Sequence, residues 1–376
     1  MKIGIDIRSL SGDKYGGVGE YIRNLLPEMF KAGSEHTFHL FYNSRSDRGD
    51  FLEFKGSNVE LHKFSYPNKL LTFAGRYFKL PHIDKLIGGV DIFFSPHFIP
   101  VPVSASCKKV ITFHDLSFEY FPEYFNRRRR LWHKYMNPRQ QAQAADHIIA
   151  VSESTKNDLV DKYNIEPQDI TMIHSGVCDF VINPPHEKWS NVKKKYGLRN
   201  NYILSLSTIE PRKNIVALIR AFNLLKNSDI YLVIAGAKGW SYRDIFKEAE
   251  KSPKADKIIF TGPVEEREKY FLYKNASVFV YPSLYEGFGF PPLEAMHTGT
   301  PTVASMTTSL PEITQSAAIL INPYVPADIA AAIEDIIEDS RLASMLSEKG
   351  KETADSFRWQ KTANETLKVL EQIQIR

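Results

Sequence analysis

Short apolar segments alternate with stretches of helical periodicity along this chain, and the alternation occurs twice. The segments of the first series lie at residues 2–7, 37–42, 91–95, 109–113 and 147–151. A second series begins after Asn200, at residues 202–206, 230–235, 257–260, 278–281 and 300–304. Strands separated by helices pair in parallel and are buried on both faces, so each is a nearly continuous apolar run. The pattern predicts an α/β fold of two Rossmann-like, doubly wound domains facing across a cleft.

The border between the two predicted domains lies at residues 182–188, where Pro184 and Pro185 restrict the backbone and no hydrophobic period occurs. We therefore predict an N-terminal domain over residues 1–182 and a C-terminal domain over residues 190–354. With 376 residues, 43% of them hydrophobic, the chain is long enough to give each domain its own core.

The composition argues against several classes of protein. The 48 Lys and Arg residues nearly balance the 44 Asp and Glu residues, so the net charge of +4 gives little support for nucleic-acid binding. Cys107 and Cys178 are too few for a disulfide framework, and they lack the neighbouring Cys and His of a zinc site. The N-terminus lacks the features of a signal peptide, and no apolar run reaches the ~18 residues of a spanning helix. We expect a cytoplasmic protein, soluble or peripheral at the inner face of the membrane.

The most informative segment, residues 281–296, follows an apolar strand and leads into a helix. Gly287 and Gly289 allow the loop backbone to approach a ligand closely, and the amides of the loop and the helix start offer a place for phosphate. Glu286 is predicted on the loop. Glu294 is predicted near the helix start, where a carboxylate can accept hydrogen bonds from a ribose diol. In the alternative interpretation, Glu294 only complements the helix dipole and the glycines form a turn.

Two cations, Arg212 and Lys213, follow the first strand of the second series and open the next helix. Cations at such a junction can form charge-assisted hydrogen bonds with a diphosphate and neutralise a leaving nucleotide. The alternative is a charged turn that faces water.

Polar residues also follow strands in the first half. His114 comes directly after the segment 109–113, at the carboxyl edge of the sheet where ligands collect in open α/β folds. Gly16 and Gly17 belong to a Gly-rich loop after the first strand, which could admit phosphate or acceptor. A structural histidine and a plain flexible loop are the alternatives. The loop lacks the full dinucleotide spacing, which disfavours a hydride-transferring dehydrogenase.

The sequence offers no obvious site for a catalytic metal. It contains no Asp-x-Asp triplet, and no cluster of His and carboxylates has metal-ligand spacing. We therefore expect no metal requirement, with the charge of a diphosphate met by Arg, Lys and backbone amides.

Together these motifs resemble the retaining glycosyltransferases that have two Rossmann-like domains, known as family four of the GT-B class, and the resemblance spans the whole chain. It rests on the pair Glu286 and Glu294, with seven residues between them, and on the basic turn Arg212-Lys213. Many relatives carry their Arg a few residues before the Lys, where this chain has Ser207 and Thr208, so the match is closer for Lys213 than for Arg212.

The resemblance implies a role for each residue of the second domain. Glu294 binds the donor ribose, and Glu286 lies near the hexose hydroxyls beside the reacting carbon. The side chains of Arg212 and Lys213 hold the diphosphate. Backbone amides of the loop also contribute, from Gly287, Phe288 and Gly289.

For the first domain, the resemblance implies that His114 contacts the transferred sugar and that Gly16 and Gly17 close over the donor. Residues 357–376 resemble the terminal helix of the family, which crosses back onto the first domain. We therefore assign this tail to the N-terminal domain.

The implied reaction is transfer of a hexose from a nucleotide sugar with retention of anomeric configuration, by front-face attack through an oxocarbenium-like ion pair. The turn around Arg212 and residues 235–240 look like those of mannosyltransferases of bacterial polysaccharide pathways. GDP-mannose is therefore the first choice of donor, followed by UDP-sugars. The implied acceptor is a saccharide or a lipid-linked saccharide, and no other cofactor is implied.

Two segments, residues 70–80 and 127–135, combine basic with apolar or aromatic residues. Either could contact an anionic membrane peripherally. The alternative is a solvated helix whose aromatic side chains belong to the core.

Two other functions compete with transfer. A sugar-nucleotide epimerase of the same architecture would bind a UDP-sugar without an acceptor. A non-catalytic nucleotide-sugar binding protein would bind the donor and show neither transfer nor hydrolysis.

Overall fold

A computed structural model describes residues 1–10, 16–45, 51, 54–177, 188–227 and 229–375. The predicted linker, except for Lys188, lies outside these residues, as does Cys178. Contacts divide the chain into two compact units, which are described separately.

The first unit contains a parallel sheet of seven strands in the order β3-β2-β1-β4-β5-β6-β7. The strands are β1 (Lys2–Asp6), β2 (Thr37–Asn43), β3 (Val59–Phe64), β4 (Ile92–Ser95), β5 (Lys108–Phe113), β6 (His147–Ala150) and β7 (Ile170–Met172). The central strands β1, β4 and β5 are buried except at the first residues of β1 and β5, whereas the edge strand β3 is half-buried or exposed at every position. The sequence analysis did not predict β3 or β7, because one is polar along much of its length and the other has three residues.

The second unit contains a parallel sheet of six strands in the order β10-β9-β8-β11-β12-β13. They are β8 (Tyr202–Leu206), β9 (Tyr231–Ala235), β10 (Ile258–Gly262), β11 (Val278–Tyr281), β12 (Thr302–Ser305) and β13 (Ala318–Ile321). In each sheet the first strand in the chain lies inside, and the order reverses beside it, as in doubly wound folds. This confirms the predicted class of two Rossmann-like α/β sheets.

Helices connect the strands in both units. They are Gly17–Ala32, Asn68–Tyr77, Ile83–Leu86, Ser117–Tyr120, Arg127–Met136, Pro138–Gln143, Glu153–Tyr163, Trp189–Lys195, Ile215–Leu224, Arg243–Glu250, Glu266–Lys274, Phe290–His297, Leu310–Thr314, Pro326–Glu338, Ser340–Asp355 and Trp359–Ile375. In the second unit, Leu218 and Phe222 of one helix and Ile333 of another are fully buried in the core against the sheet. Such apolar faces at helical spacing stabilise the layers by removing apolar surface from water. No helix among the described residues is long and apolar enough to cross a membrane.

The last helix belongs to the first unit, which comprises Met1–Leu116, Arg128–Gly176 and Arg358–Arg376. Trp359, at its start, packs edge-on against Tyr21, with 5.7 Å between ring centroids. A Cβ atom on Gly176 would lie 2.4 Å from the backbone nitrogen of Trp359, so this approach requires glycine.

The second unit comprises Ser117–Arg127 and Val177–Phe357. The prediction placed residues 117–127 in the N-terminal domain, so the observed division differs from it there. This segment packs through aromatic rings: Tyr120 stacks on Tyr285 at 5.6 Å, and Phe125 stacks on Trp240 at 5.5 Å. The Trp240 indole N–H also donates a hydrogen bond to the carbonyl of Tyr124. Strand periodicity carries no information about such contacts.

Candidate active site

Two loops of the second unit lie side by side because the strands before them are neighbours. Strands β8 and β11 pair in parallel, and the strand order reverses between them, so their carboxyl ends form the switch point of this sheet. The backbone N–H of Leu284, in the loop after β11, donates to the carbonyl of Arg212, in the loop after β8, at 2.9 Å. The Ser283 hydroxyl oxygen lies 3.2 Å from the same carbonyl. The loop that carries Arg212 and Lys213 is therefore in direct contact with the loop that carries Glu286.

Glu286 lies at the centre of this structure, with 8% of its surface exposed. Its Oε1 accepts from the Lys213 ammonium at 2.5 Å and from the Ser283 hydroxyl at 2.5 Å, while its Oε2 lies 3.0 Å from Nη1 of Arg212. Burial raises the pKa of Glu286, but the charges of Arg212 and Lys213 and the hydrogen bonds outweigh it and lower the pKa to about 2. The carboxylate is therefore ionised at neutral pH.

A second carboxylate, Glu210, completes the cluster. Its Oε1 lies 2.9 Å from Nη2 of Arg212, and burial raises its pKa against the opposing effect of Arg212 and Lys213. Lys213 also donates to the Tyr281 hydroxyl at 2.7 Å. We call Glu210, Arg212, Lys213 and Glu286 the ion-pair cluster. Arg212 is 13% exposed and the other three side chains are buried, so the two cations and two carboxylates form a site in which each charge depends on its partners.

The cluster owes its position to a turn of backbone between β8 and the next helix. Pro211 begins a 3₁₀ turn over Pro211–Lys213, and Asn214 adopts a left-handed conformation with a φ of 55° before the helix starts. Asn is one of the few residues besides Gly that adopt this conformation. The Asn214 side chain donates to the carbonyl of Pro323, more than a hundred residues away in sequence, at 2.6 Å. This turn directs both cations towards the neighbouring loop.

The loop that carries Gly287 and Gly289 is held in place by hydrogen bonds from the segment after β12. The Ser309 hydroxyl lies within hydrogen-bond distance of the carbonyls of Glu286 and Phe288, at 3.0 Å and 2.6 Å, and the Thr308 hydroxyl accepts from the Glu286 N–H at 3.0 Å. Gly289 has a φ of 120°, and a Cβ there would lie 2.8 Å from Leu310. Sequence reasoning missed Thr308 and Ser309, which fix the loop through its backbone.

The helix Phe290–His297 begins directly after Gly289, with prolines in its first turn. Pro291 and Pro292 have no N–H, so this helix start offers fewer amides than an ordinary one. Amides for a phosphate would therefore come from the loop and from Phe290. The Phe288 side chain is buried and packs against Phe290, at 5.1 Å between ring centroids.

Glu294 lies in the second turn of the same helix and is 2% exposed. Its Oε2 accepts a hydrogen bond from the hydroxyl of the fully buried Tyr273 at 2.7 Å. Sequence reasoning did not single out Tyr273, because nothing in its helix marks it as a partner of a carboxylate.

In the first unit, the structure brings His114 together with the helix that follows Gly16. His114 Nε2 lies 2.7 Å from the carbonyl of Pro96 and therefore donates to it. Burial lowers the pKa of His114, so the ring is neutral. Tyr21 packs edge-on against His114 at 4.8 Å and belongs to the helix that Gly17 begins and Gly16 caps.

The predicted residues thus form two groups. Arg212 and Lys213, on the loop after β8, contact Glu286 in the second unit. Glu286 lies on the loop after β11, which also carries Gly287, Phe288 and Gly289 and leads to Glu294. His114, Gly16 and Gly17 belong to the first unit.

Comparison with known proteins identifies both halves of the chain. The model for Glycosyltransferase Family 4 matches residues 15–179, and the model for Glycosyl transferases group 1 matches residues 187–353. O-antigen chain mannosyltransferase B of Escherichia coli is 31% identical over 376 residues, covering 93% of this chain and 94% of that protein. Serotype-specific mannosyltransferase WbdA of Escherichia coli is 35% identical over 237 residues, covering 61% of this chain and 29% of its own length.

Solved structures share the fold. Sucrose-phosphate synthase of Thermosynechococcus elongatus matches with a TM-score of 0.78 at 19% identity, covering 99% of this chain and 98% of that one. HepE of Anabaena, in complex with UDP-glucose, matches with a TM-score of 0.75 at 19% identity, covering 99% and 100%. With the two family models and the full-length relative, these matches show that the chain belongs to the family 4 glycosyltransferases, which have the GT-B fold.

Proposed function

We propose that this glycosyltransferase is a retaining, metal-independent hexosyltransferase that moves mannose from GDP-mannose to a saccharide or lipid-linked saccharide in polysaccharide biosynthesis. The observation that carries the proposal is the ion-pair cluster at the switch point between β8 and β11, where α/β sheets bind their ligands. The choice of mannose rests on relatives named as O-antigen and serotype-specific mannosyltransferases.

The chemistry follows from the charges in the cluster. Arg212 and Lys213 are the cations that meet the diphosphate, and they stabilise the negative charge that develops on it as the sugar leaves. Glu286 is ionised, so it accepts hydrogen bonds from hexose hydroxyls and does not act as a general acid. The guanidinium of Arg212 and the ammonium of Lys213 each have several N–H donors, so they can bind phosphate oxygens while they pair with the carboxylates, and the proposal requires no metal ion.

The choice of donor can be tested with full-length protein and a panel of nucleoside diphosphates and nucleotide sugars. A ligand that binds the folded state raises the melting temperature. We expect GDP and GDP-mannose to raise it more than UDP and UDP-glucose. If UDP and UDP-glucose raise the melting temperature more, the donor is a UDP-sugar and not GDP-mannose.

The reaction type needs product analysis with a saccharide or lipid-linked acceptor. We expect an α-linked product from the α-linked donor, identified by NMR of the new anomeric proton. Conversion of a UDP-sugar without acceptor would indicate an epimerase, and donor binding without transfer or hydrolysis would indicate a binding protein.

We also propose that the protein contacts an anionic membrane through the basic apolar surface, which we define as residues 68–80 and 127–136; all of these residues except Arg127 belong to the first unit. Together these segments contain eight Lys and Arg residues and no Asp or Glu. Arg76 connects them: its guanidinium lies 5.3 Å above the Tyr135 ring and donates to the carbonyl of Lys134 at 3.5 Å. Each Lys or Arg near an anionic surface contributes about 1 kcal/mol to binding.

Leu71 and Met136 of this surface are buried, but several of its other apolar side chains face solvent. Leu70 is 60% exposed, Phe78 66% and Leu131 67%. Apolar side chains among cations, with no acidic residue between them, suit the interface of an anionic bilayer.

Vesicle flotation tests this contact. Vesicles that contain phosphatidylglycerol should carry the protein, and phosphatidylcholine vesicles should not. Phe78→Glu and Arg130→Glu should each reduce flotation, whereas Leu224→Glu, at a 57% exposed position of the second unit, should not. Flotation independent of anionic lipid, or equal loss in the control variant, would refute the contact.

A further inference from the structure

The edge of the first sheet places two histidines and a glutamate on one face. In the pairing of β2 with β3, His39 is opposite Glu60, and Phe41 is opposite His62. Paired residues of neighbouring strands point to the same face of a sheet, and so do residues two apart on one strand. The register therefore brings His39, Glu60 and His62 together.

The three potential ligand atoms form a compact triangle. Nδ1 of His39 lies 3.1 Å from Nε2 of His62 and 3.3 Å from Oε2 of Glu60, and the latter two atoms are 3.7 Å apart. The circle through three points with these separations has a radius of about 2.0 Å, which is the usual distance from Zn²⁺ to imidazole nitrogen or carboxylate oxygen. An ion near its centre would be at bonding distance from all three atoms without movement of the strands.

We propose that His39, Glu60 and His62 bind one divalent transition-metal ion, Zn²⁺ in the first place. Two imidazoles and one carboxylate are a ligand set that zinc accepts, with water in the fourth position. Oxygen-preferring ions such as Mg²⁺ are not expected, because two of the three ligands are nitrogens.

The position of the site indicates a structural role. β3 is the edge strand of the sheet, and edge strands have one unpaired side. The ion joins β3 to β2 through side chains in addition to the backbone ladder. The ligands lie in the first unit, whereas the ion-pair cluster lies in the second, so this proposal does not depend on the proposed function.

A second group in the described part of the chain, Glu35, His36 and Glu371, is less suited to zinc. It has a single imidazole, whereas the proposed site has two. Nδ1 of His36 lies 3.4 Å from the N-terminal ammonium of Met1, and Nε2 lies 2.9 Å from Glu371. These contacts make an ordinary ion-pair group, which provides a matched control.

The test is a titration of tag-free, full-length protein with Zn²⁺ after dialysis against EDTA, followed by calorimetry and by thermal unfolding. We expect one Zn²⁺ per chain and a rise in Tm that EDTA reverses. Glu60→Gln and His62→Gln change side chains at the exposed edge of the sheet. Each should weaken binding at least about tenfold, because each removes a ligand.

Glu371→Gln removes a carboxylate of similar exposure from the other group and should leave Zn²⁺ binding unchanged. Absence of binding in the wild type, or unchanged affinity in His62→Gln, would overturn the proposal. Loss of binding in Glu371→Gln alone would assign the ion to the other group and would also overturn it. Donor binding and sugar transfer are measured separately, so failure of the zinc site leaves the proposed function as it stands.

Discussion

Lys213 and Glu286 form a 2.5 Å ion pair between two loops that are 73 residues apart in sequence, and both side chains are about 10% exposed. The pair exists because β8 and β11 are neighbours in the sheet and each ends immediately before one of these loops. It lies at the switch point of the second sheet of a GT-B glycosyltransferase.

Replacing Lys213 by Ala should reduce sugar transfer by about a hundredfold, the scale seen when one group that stabilises developing charge is removed. The protein should stay folded, because Arg212 still pairs with Glu286 at 3.0 Å. Initial rates and circular dichroism test both expectations. Lys226→Ala is the control, since this lysine is 83% exposed in the same unit. Normal turnover in Lys213→Ala would count against the site.

Glu286 should make stability depend on pH in the acid range. Burial raises its pKa, but Arg212 and Lys213 outweigh burial, so the folded pKa is about 2 against an ordinary 4.5. A carboxyl group whose pKa is lowered by folding contributes its full stabilisation above pH 4.5. This contribution to the free energy of unfolding is lost as the pH falls towards 2. Between these values, urea unfolding should show a steeper loss of free energy in the wild type than in Glu286→Gln. Equal slopes would mean that the carboxylate is not held in this ionised state.

Tyr273→Phe removes the hydrogen bond that the buried Glu294 accepts at 2.7 Å. Loss of one partner of a buried polar group lowers the free energy of unfolding by about 1–3 kcal/mol. Denaturant titration measures this change, and Tyr324→Phe, at a position that is 65% exposed, should have no effect. Equal stability of Tyr273→Phe and wild type would show that this hydrogen bond contributes nothing.

Gly289→Ala should destabilise the second unit more than an ordinary glycine substitution. At Gly289 the φ is 120°, and the new Cβ would meet Leu310 at 2.8 Å. Gly197→Ala is the matched control, because its φ of 64° is also unfavourable but its Cβ would have open space. The control should lose about 1–2 kcal/mol of unfolding free energy, the usual effect of a left-handed conformation. Equal losses in the two variants would contradict the contact with Leu310.

Transfer should persist in EDTA, because the proposed mechanism assigns the charge of the diphosphate to Arg212 and Lys213. The assay is run well below the melting temperature, so that loss of a structural ion from His39 and His62 does not unfold the enzyme. Abolition of transfer that Mg²⁺ or Mn²⁺ restores would contradict the metal-free mechanism.

Three of the four residues of the ion-pair cluster were singled out from the sequence by their positions after predicted strands. Arg212, Lys213 and Glu286 follow apolar strands, and the carboxyl ends of parallel strands lie at one edge of the sheet. Glu210 and Tyr281 belong to the same segments but received no role, because ion pairing and hydrogen bonding depend on side-chain conformation. Ser309 was missed for a different reason: it acts on loop carbonyls, and a hydroxyl that binds backbone leaves no pattern in the sequence.

The parts of the fold that escaped prediction have few buried residues or depend on distant contacts. β3 is an edge strand with charged residues, so its apolar content is low. The aromatic segment 117–127 joins the second unit through Tyr120 and Phe125, whose partners lie more than a hundred residues away. Periodicity describes the faces of single elements and gives no information on which distant element a side chain contacts.

The central claim is that Arg212 and Lys213 bind the diphosphate of the donor, and calorimetry with GDP and guanosine tests it most directly. If the claim is correct, Lys213→Ala weakens GDP binding at least about tenfold, because a charge-assisted bond to phosphate is lost, and leaves guanosine binding unchanged. Equal affinity for GDP in the variant and the wild type, or equal losses for GDP and guanosine, would contradict it.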